Sequence, residues 1–208
     1  MRIDPAGFPF VFGALAAALL AGIALGWLFA IPLVVLAAFF LFFFRDPERQ
    51  VVAADDVVLS PADGRVLVAG PAEAKAAPPG EWLQISIFLS PMDVHVNRVP
   101  VSGRVTHVSF QRGRFLPAYH RDAAATNERS EIRIEHNGRP TVVRQIVGVL
   151  ARRVVCRAVL GAEVRAGDRY GVMKFGSRMD VFLPTDAELR VKAGDGVRGG
   201  ETIIAVLH

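Results

Sequence analysis

Two textures of hydrophobic and polar positions divide the chain. From Phe8 to Phe44 no residue is charged, and Ala, Leu, Ile, Val, Phe and Gly make up nearly all of the run. A bilayer core about 30 Å thick is crossed by roughly 20 apolar residues in helix, and this run is longer. Pro32 interrupts it, and a proline inside a helix removes a hydrogen bond and kinks or ends the segment. The pattern therefore predicts two short helices, Phe10 to Phe29 and Ile31 to Phe44, or one long kinked span. A cleaved signal peptide would have an apolar region of about 7–15 residues closed by a small-residue site. This run is more than twice that and closes on Phe42-Phe43-Phe44-Arg45, so a retained anchor over residues 1–45 is expected.

The segment Arg45-Asp46-Pro47-Glu48-Arg49 is a polar break, and residues 46–208 read as a second domain of short β-branched runs punctuated by glycine and proline. Strands are expected at Val57 to Leu59, Gly64 to Ala69, Trp82 to Leu89, Gly103 to Phe110, Ser130 to His136, Thr141 to Val149, Val154 to Ala158, Tyr170 to Phe175, Met179 to Leu183, Glu188 to Val191 and Thr202 to Leu207. Many short strands with regular turn signals predict a mainly β domain, a barrel or sandwich. No amphipathic helix of ordinary length is expected after the break. Val164-Arg165-Ala166-Gly167-Asp168 echoes Val191-Lys192-Ala193-Gly194-Asp195, a turn similar to the hairpins of biotinyl and lipoyl carrier domains; Gly-Asp turn chemistry accounts for it. Two loops stand out, Ala72 to Gly80 and Gln111 to Arg129. The second carries Arg112, Arg114, His120, Arg121 and Arg129, and reads either as a solvated basic loop or as a phosphate-contacting lid.

The formal charge is +4 and the isoelectric point about 9.8, which suits an anionic membrane surface or a nucleic acid. The apolar anchor decides for the membrane and against nucleic acid. Arg45 and Arg49, just past the run, place the β domain on the cytoplasmic side of the cell membrane by the positive-inside tendency. Cys156 is the sole cysteine, which excludes an intrachain disulfide; in its apolar setting it reads as a buried inert thiol.

Three short motifs carry candidate chemistry. Ser60-Pro61-Ala62-Asp63-Gly64-Arg65-Val66 contains an Asp-Gly at a strand start, ordinarily just a turn. Ser90-Pro91-Met92-Asp93-Val94-His95-Val96-Asn97-Arg98 follows an apolar strand, where a histidine is ordinarily structural. Phe175-Gly176-Ser177-Arg178-Met179-Asp180 contains a Gly-Ser pair, also a common turn dipeptide. Taken in order, together with Arg45-Asp46-Pro47-Glu48-Arg49 and Asn127-Glu128-Arg129, the set resembles the phosphatidylserine decarboxylases, most closely their short bacterial and archaeal form. The resemblance runs over essentially the whole β domain.

That resemblance implies a self-processing, pyruvoyl-dependent carboxy-lyase. Ser177 would attack the carbonyl carbon of Gly176, with His95 as the base and Asp63 as the carboxylate that orients it. A serine hydroxyl is a poor nucleophile without such a base, and Gly176 leaves the carbonyl approachable. The precursor would separate into a β chain, 1–176, and an α chain, 177–208, the latter opening with a pyruvoyl group derived from Ser177. That group would form a Schiff base with an anionic serine phospholipid, converting phosphatidylserine to phosphatidylethanolamine and carbon dioxide, with no metal or soluble cofactor and in a homodimer. Longer members of the family carry two histidines here, three residues apart; this chain has Arg98 at the second position, and arginine cannot act as a base at ordinary pH. Either His95 serves both self-cleavage and decarboxylation, or His107 or His120 takes one step. Arg178 stands where the longer forms commonly have threonine. Other readings are a decarboxylase of an archaeal ether-linked serine phospholipid, a non-enzymatic membrane-anchored biotinyl or lipoyl-like module, and a serine peptidase. The carrier module would need a lysine at a hairpin tip, which neither Lys174 nor Lys192 supplies convincingly.

Overall fold

The computed structural model describes residues 2–51, 54–149, 154–174 and 176–208. Phe175, where the third motif begins and the strand expected from Tyr170 ends, lies outside them. The chain divides into two compact units, Met1–Glu48 and Arg49–His208.

The first unit is a helical hairpin. Strand β1 (Arg2–Ile3) leads through a 3-10 turn into α1 (Phe8–Leu25); α2 (Trp27–Phe43) returns to β2 (Arg45–Asp46). The break falls at Gly26 rather than at Pro32. Gly26 takes a φ of +103°, which the lack of a Cβ permits and which ends α1. Pro32 sits inside α2, forgoing one backbone bond in an apolar helix whose other groups have no better partners than one another. Small residues let the helices approach: Ala14, Ala18 and Ala37 are buried, and a methyl built on Gly7 would strike the Phe44 ring at 2.5 Å. Phe10 packs on Phe40 and Phe44, with ring centroids 5.4 and 5.5 Å apart. Strand β1 pairs antiparallel with β2, Arg2 opposite Asp46 and Ile3 opposite Arg45, so both ends of the hairpin are fastened together. The segment Pro5–Leu25 is long and apolar enough to cross a membrane, and Trp27–Phe43 is a shorter apolar helix.

The second unit is mainly β, as the alternation of its sequence predicts. Its strands are β3 (Val57–Leu59), β4 (Gly64–Pro71), β5 (Leu83–Leu89), β6 (Val96–Arg98), β7 (Gly103–Gln111), β8 (Arg129–His136), β9 (Arg139–Ile146), β10 (Val155–Cys156), β11 (Glu163–Val164), β12 (Arg169–Val172), β13 (Ser177–Leu183), β14 (Glu188–Leu189), β15 (Gly196–Val197) and β16 (Ile203–Val206). The one helix among its described residues is α3, the single turn Ala123–Thr126. Eight strands form a curled antiparallel sheet in the order β11-β7-β8-β9-β13-β5-β4-β15, and two three-stranded sheets, β10-β12-β6 and β14-β16-β3, complete the unit. Strands β6, β11 and β15 are too short and too polar to stand out in the sequence. The echoed turns share one geometry: Gly167 and Gly194 have φ of +86° and +95°, and Asp168 and Asp195 each accept from the backbone N–H three residues earlier at 2.9 Å.

Period-two alternation sorts the sheet's side chains. Ile85, Ile87 and Leu89 on β5, Met179, Val181 and Leu183 on β13, Ile132 and Ile134 on β8 and Val143 on β9 face one core, to which Val58, Ile204 and Ala205 of the β14-β16-β3 sheet and Tyr170 of β12 also contribute. Each large side chain so buried stabilises the fold by about 1.5–3 kcal/mol. The opposite face is polar yet covered. Arg178 pairs with Asp180 at 2.6 Å and donates to Ser86 Oγ at 2.8 Å, while Gln84 donates to Asp180 at 3.1 Å. Beside them Arg144 bonds Glu131 and the carbonyl of Ala76, and Ala76 packs with Ala124 and Ile146.

The fastened hairpin predicts a topology. In vesicles, on a Cys156→Ser background, cysteines introduced by Arg2→Cys and Pro47→Cys will react with a membrane-impermeant maleimide from the same side. Labelling of the two positions from opposite sides would contradict it.

Candidate active site

Strand β13 positions the serine of the third motif. It lies between β9 and β5, with Ser177 opposite Leu89 and Arg178 opposite both Phe88 and Ile146. The sequence suggests a turn at Gly176-Ser177, but the strand begins at Ser177 itself. Alternation puts Ser177 on the core face with Met179 and Val181, and Arg178 on the other face. Ser177 is completely buried, and its Oγ has no hydrogen-bond partner among the described residues. A buried hydroxyl left unpaired costs about 1–3 kcal/mol, so its position calls for an explanation. Gly176 has a φ of +71°, which favours glycine, while a methyl built there would meet nothing within 4 Å. Its conformation, and not its space, selects glycine.

The His motif returns the chain to the same place. After Leu89, the turn Ser90–Asp93 is closed by Asp93, whose carboxylate accepts from Ser90 N–H at 2.7 Å. His95 follows, completely buried, and its carbonyl accepts from Met173 N–H at 3.1 Å. Leu89 pairs with Ser177, and His95 receives Met173 four residues before it, so both motifs flank the 173–177 connection. His95 Nδ1 lies 3.0 Å from the carbonyl oxygen of Asp93. A carbonyl can only accept, so Nδ1 carries the proton and Nε2 the lone pair in the neutral ring. His107 and His120, the other histidines considered for the chemistry, are exposed on β7 and on the long loop.

Asp63 immediately precedes β4. Its oxygens accept from Arg49 Nη2 at 2.9 and 2.8 Å and from Gly199 N–H at 2.8 Å, and Arg49 Nη1 reaches Glu201 at 3.3 Å. The bonds of Asp63 thus run to Arg49 and Gly199, and the bond at the His95 Nδ1 runs to the Asp93 carbonyl. Asp63 clamps the segment around Gly199. Arg98, at the second position of the His motif, donates from its backbone to Pro61 O at 2.8 Å and from Nη1 to Gly167 O at 3.0 Å.

Three polar residues that the sequence does not single out line the core face nearby. Ser130 Oγ donates to Gln145 Oε1 at 2.6 Å, and Gln145 Nε2 donates to Asn97 Oδ1 at 2.8 Å. Gln145 Nε2 also faces Val155 O at 3.4 Å, which fixes the orientation of its amide. Room for the contact comes from Gly171, where a methyl would lie 2.6 Å from Gln145 Nε2. The row ends on Asn97 Nδ2, a buried donor with no partner among the described residues. Gln145 stands opposite Met179, one diagonal step from Ser177 on the same face. Asn97, in the middle of β6, is two residues from His95, which precedes the strand.

The basic loop divides by burial. Arg112, Arg114, His120 and Arg121 are exposed, and Arg121 lines a cavity of about 260 Å³ on the outer face with Tyr119, Gln84 and Arg178. Arg129 is half-buried and donates to Ala124 O and Ala125 O at 3.3 and 3.1 Å; burial first, and Arg144 beside it second, lower its pKa. Arg129 therefore staples the loop. Among the described residues no group of His, Cys, Asp and Glu side chains converges as a metal site.

The phosphatidylserine decarboxylase family profile matches residues 36–205. The chain is 44% identical over 204 residues to a phosphatidylserine decarboxylase proenzyme of Geotalea daltonii, covering 96% of this chain and 94% of that one. A protein of the same name from Chlorobium limicola is 42% identical over 212 residues, covering 98% of this chain and 99% of the relative. Another, from Prosthecochloris aestuarii, is 43% identical over 169 residues, 81% of this chain and 77% of that one.

The clamp at Asp63 predicts an acid-labile contribution. Burial pushes the Glu201 carboxyl up, but the Gln50 N–H and Arg49 outweigh it and hold the group below its ordinary 4.5. A depressed folded-state pKa contributes stability that is present above that value and lost as pH falls below it. Glu201→Gln will therefore flatten the loss of thermal stability below about pH 4.5; a variant whose Tm falls as steeply as that of the parent would show that the clamp carries no such linkage.

Proposed function

Because this chain belongs to the phosphatidylserine decarboxylase family, we propose that it cuts itself between Gly176 and Ser177 and uses the group left at position 177 to convert phosphatidylserine to phosphatidylethanolamine and carbon dioxide. The observation that carries this reading is Ser177: a completely buried hydroxyl, without a partner among the described residues, opening the central strand directly after a glycine at φ +71°. A buried hydroxyl of this kind calls for an explanation, and nucleophilic attack on the preceding carbonyl supplies one.

The steps follow from the atoms present. Ser177 Oγ attacks the carbonyl carbon of Gly176; the peptide C–N bond breaks, and the proton from the hydroxyl passes to the departing amine. The chain is then joined by an ester. Removal of the Ser177 Cα proton breaks the Cβ–Oγ bond, freeing Gly176 as a carboxylate and leaving dehydroalanine at position 177. Its imine tautomer takes up one water and releases ammonia, and a pyruvoyl group remains. His95 Nε2 is the base on this path, because Nδ1 is committed to the Asp93 carbonyl.

Residues of this site fit such a group: it would replace the buried serine at the same strand end, beside His95 and Asn97. When formed, it supplies an electrophilic carbonyl that condenses with the serine amine and accepts the electron pair as carbon dioxide leaves. His95 then holds the proton that returns to carbon, and Asn97 Nδ2 offers a donor to an acceptor entering the pocket. Arg121, lining the outer cavity, offers positive charge that a lipid phosphate takes; Arg112, Arg114 and His120 add to it at longer range. Asp63 and Arg49 keep the C-terminal segment seated after the cut. The apolar hairpin holds the enzyme at the membrane that contains its substrate, with the β unit on the cytoplasmic side and two copies associating.

Incubated with phosphatidylserine vesicles, the purified protein will release carbon dioxide, and borohydride treatment, which reduces a ketone, will abolish the release. His95→Gln will lose at least about a hundredfold in rate. Activity that survives borohydride, or that persists in Ser177→Ala, would overturn the assignment.

A further inference from the structure

The carbonyl that Ser177 attacks is walled on one side. A methyl group built on Gly148 would sit 2.2 Å from the carbonyl oxygen of Gly176 and 3.2 Å from its carbon. Both obstructing atoms are backbone, so no rotamer change clears them. The same methyl would lie 3.4 Å from the Cβ of Ala118, a residue of the long basic loop.

Gly148 is held where it is by one buried side chain. Asn127, 1% exposed, donates from Nδ2 to Val147 O at 2.9 Å and to Leu116 O at 2.8 Å, and its Oδ1 accepts from Leu116 N–H at 3.0 Å. Val147 N–H in turn donates to Glu128 O at 3.1 Å, and Glu128 N–H to Arg114 O at 3.0 Å. A single carboxamide thus ties the end of β9 to both ends of the long loop, immediately before the residue that touches Gly176.

We infer that Gly148 fixes the orientation of the Gly176 carbonyl for attack by Ser177, and that Asn127 is the positioning residue that seats Gly148. The inference rests on the reading of residues 176 and 177 as the self-cleavage site. It gives the long loop a task in making the enzyme, separate from any contact with lipid. A side chain at 148 would push the carbonyl away by about 1 Å, a displacement that typically costs about a hundredfold in a positioned reaction. The loss falls on the first step, the shift from amide to ester.

The test follows self-cleavage of freshly folded protein by denaturing electrophoresis, with circular dichroism and Tm as checks on folding and with or without hydroxylamine, which cuts an ester already formed. Gly148→Ala is expected to process about a hundredfold more slowly, and hydroxylamine is expected not to restore the rate, because no ester accumulates. Should that variant fail to fold, Asn127→Ala decides, with an expected slowing of about tenfold or more and the same indifference to hydroxylamine. A folded variant that processes at the parental rate, or that hydroxylamine cuts at once, overturns the inference while leaving the cleavage site intact. A parent chain that never separates at 176/177 removes both.

Discussion

The insertion of β13 between β9 and β5 is the constraint on which the rest of the structure depends. Seven residue pairs join it to β5 and five to β9, and every residue from Ser177 to Leu183 is buried. A strand contributed by the end of the chain is thus the middle of the sheet. Its place is held by ladder bonds and by Met179, Val181 and Leu183 in the core, not by the peptide bond that precedes it. Further ties run the same way: β15 pairs with β4, β16 with β3, and Asp63 with Gly199. A cut before Ser177 therefore severs one covalent bond and no element of the fold. That is the physical requirement which the proposed self-cleavage places on the fold.

The same arrangement places polar groups in the interior. The core face carries a polar row from Ser130 through Gln145 to Asn97. Asn97 Nδ2 and Ser177 Oγ have no partner among the described residues, and the same holds of Tyr170 Oη and Thr141 Oγ1 on that face. Each such group costs about 1–3 kcal/mol, which the surrounding apolar burial must offset. On the other face the buried polar groups Arg178, Asp180, Ser86 and Gln84 are bonded to one another. The two faces of the sheet thus differ: the core face holds polar atoms without a partner among the described residues, Ser177 Oγ among them, and the other face holds a bonded network.

How much of this the sequence discloses depends on the range of the interaction. Strands with clear alternation, such as Leu83–Leu89 and Arg129–His136, and the repeated Gly-Asp turns are legible because the signal is local. The anchor is legible as apolar length, but its break is not: Pro32 is the louder local signal, whereas Gly26 prevails because the turn of the hairpin needs a φ only glycine tolerates cheaply. Ser177 reads as a turn residue because Gly-Ser usually is one; only pairing with Leu89 makes it a strand. Asp63 and His95 emerge from their motifs, but the partners of Asp63, Arg49 and Gly199, belong to segments that no local pattern links. Gly148 carries no local signal at all, since its neighbour Gly176 is brought there by the sheet.

The most direct test of the whole account is the intact mass of the purified protein under denaturing conditions. The account predicts two chains, residues 1–176 and 177–208, the second lighter by one ammonia than the same chain with an N-terminal serine. A single unbroken chain after prolonged incubation with lipid at neutral pH, or a C-terminal chain that begins with an ordinary serine, would contradict it.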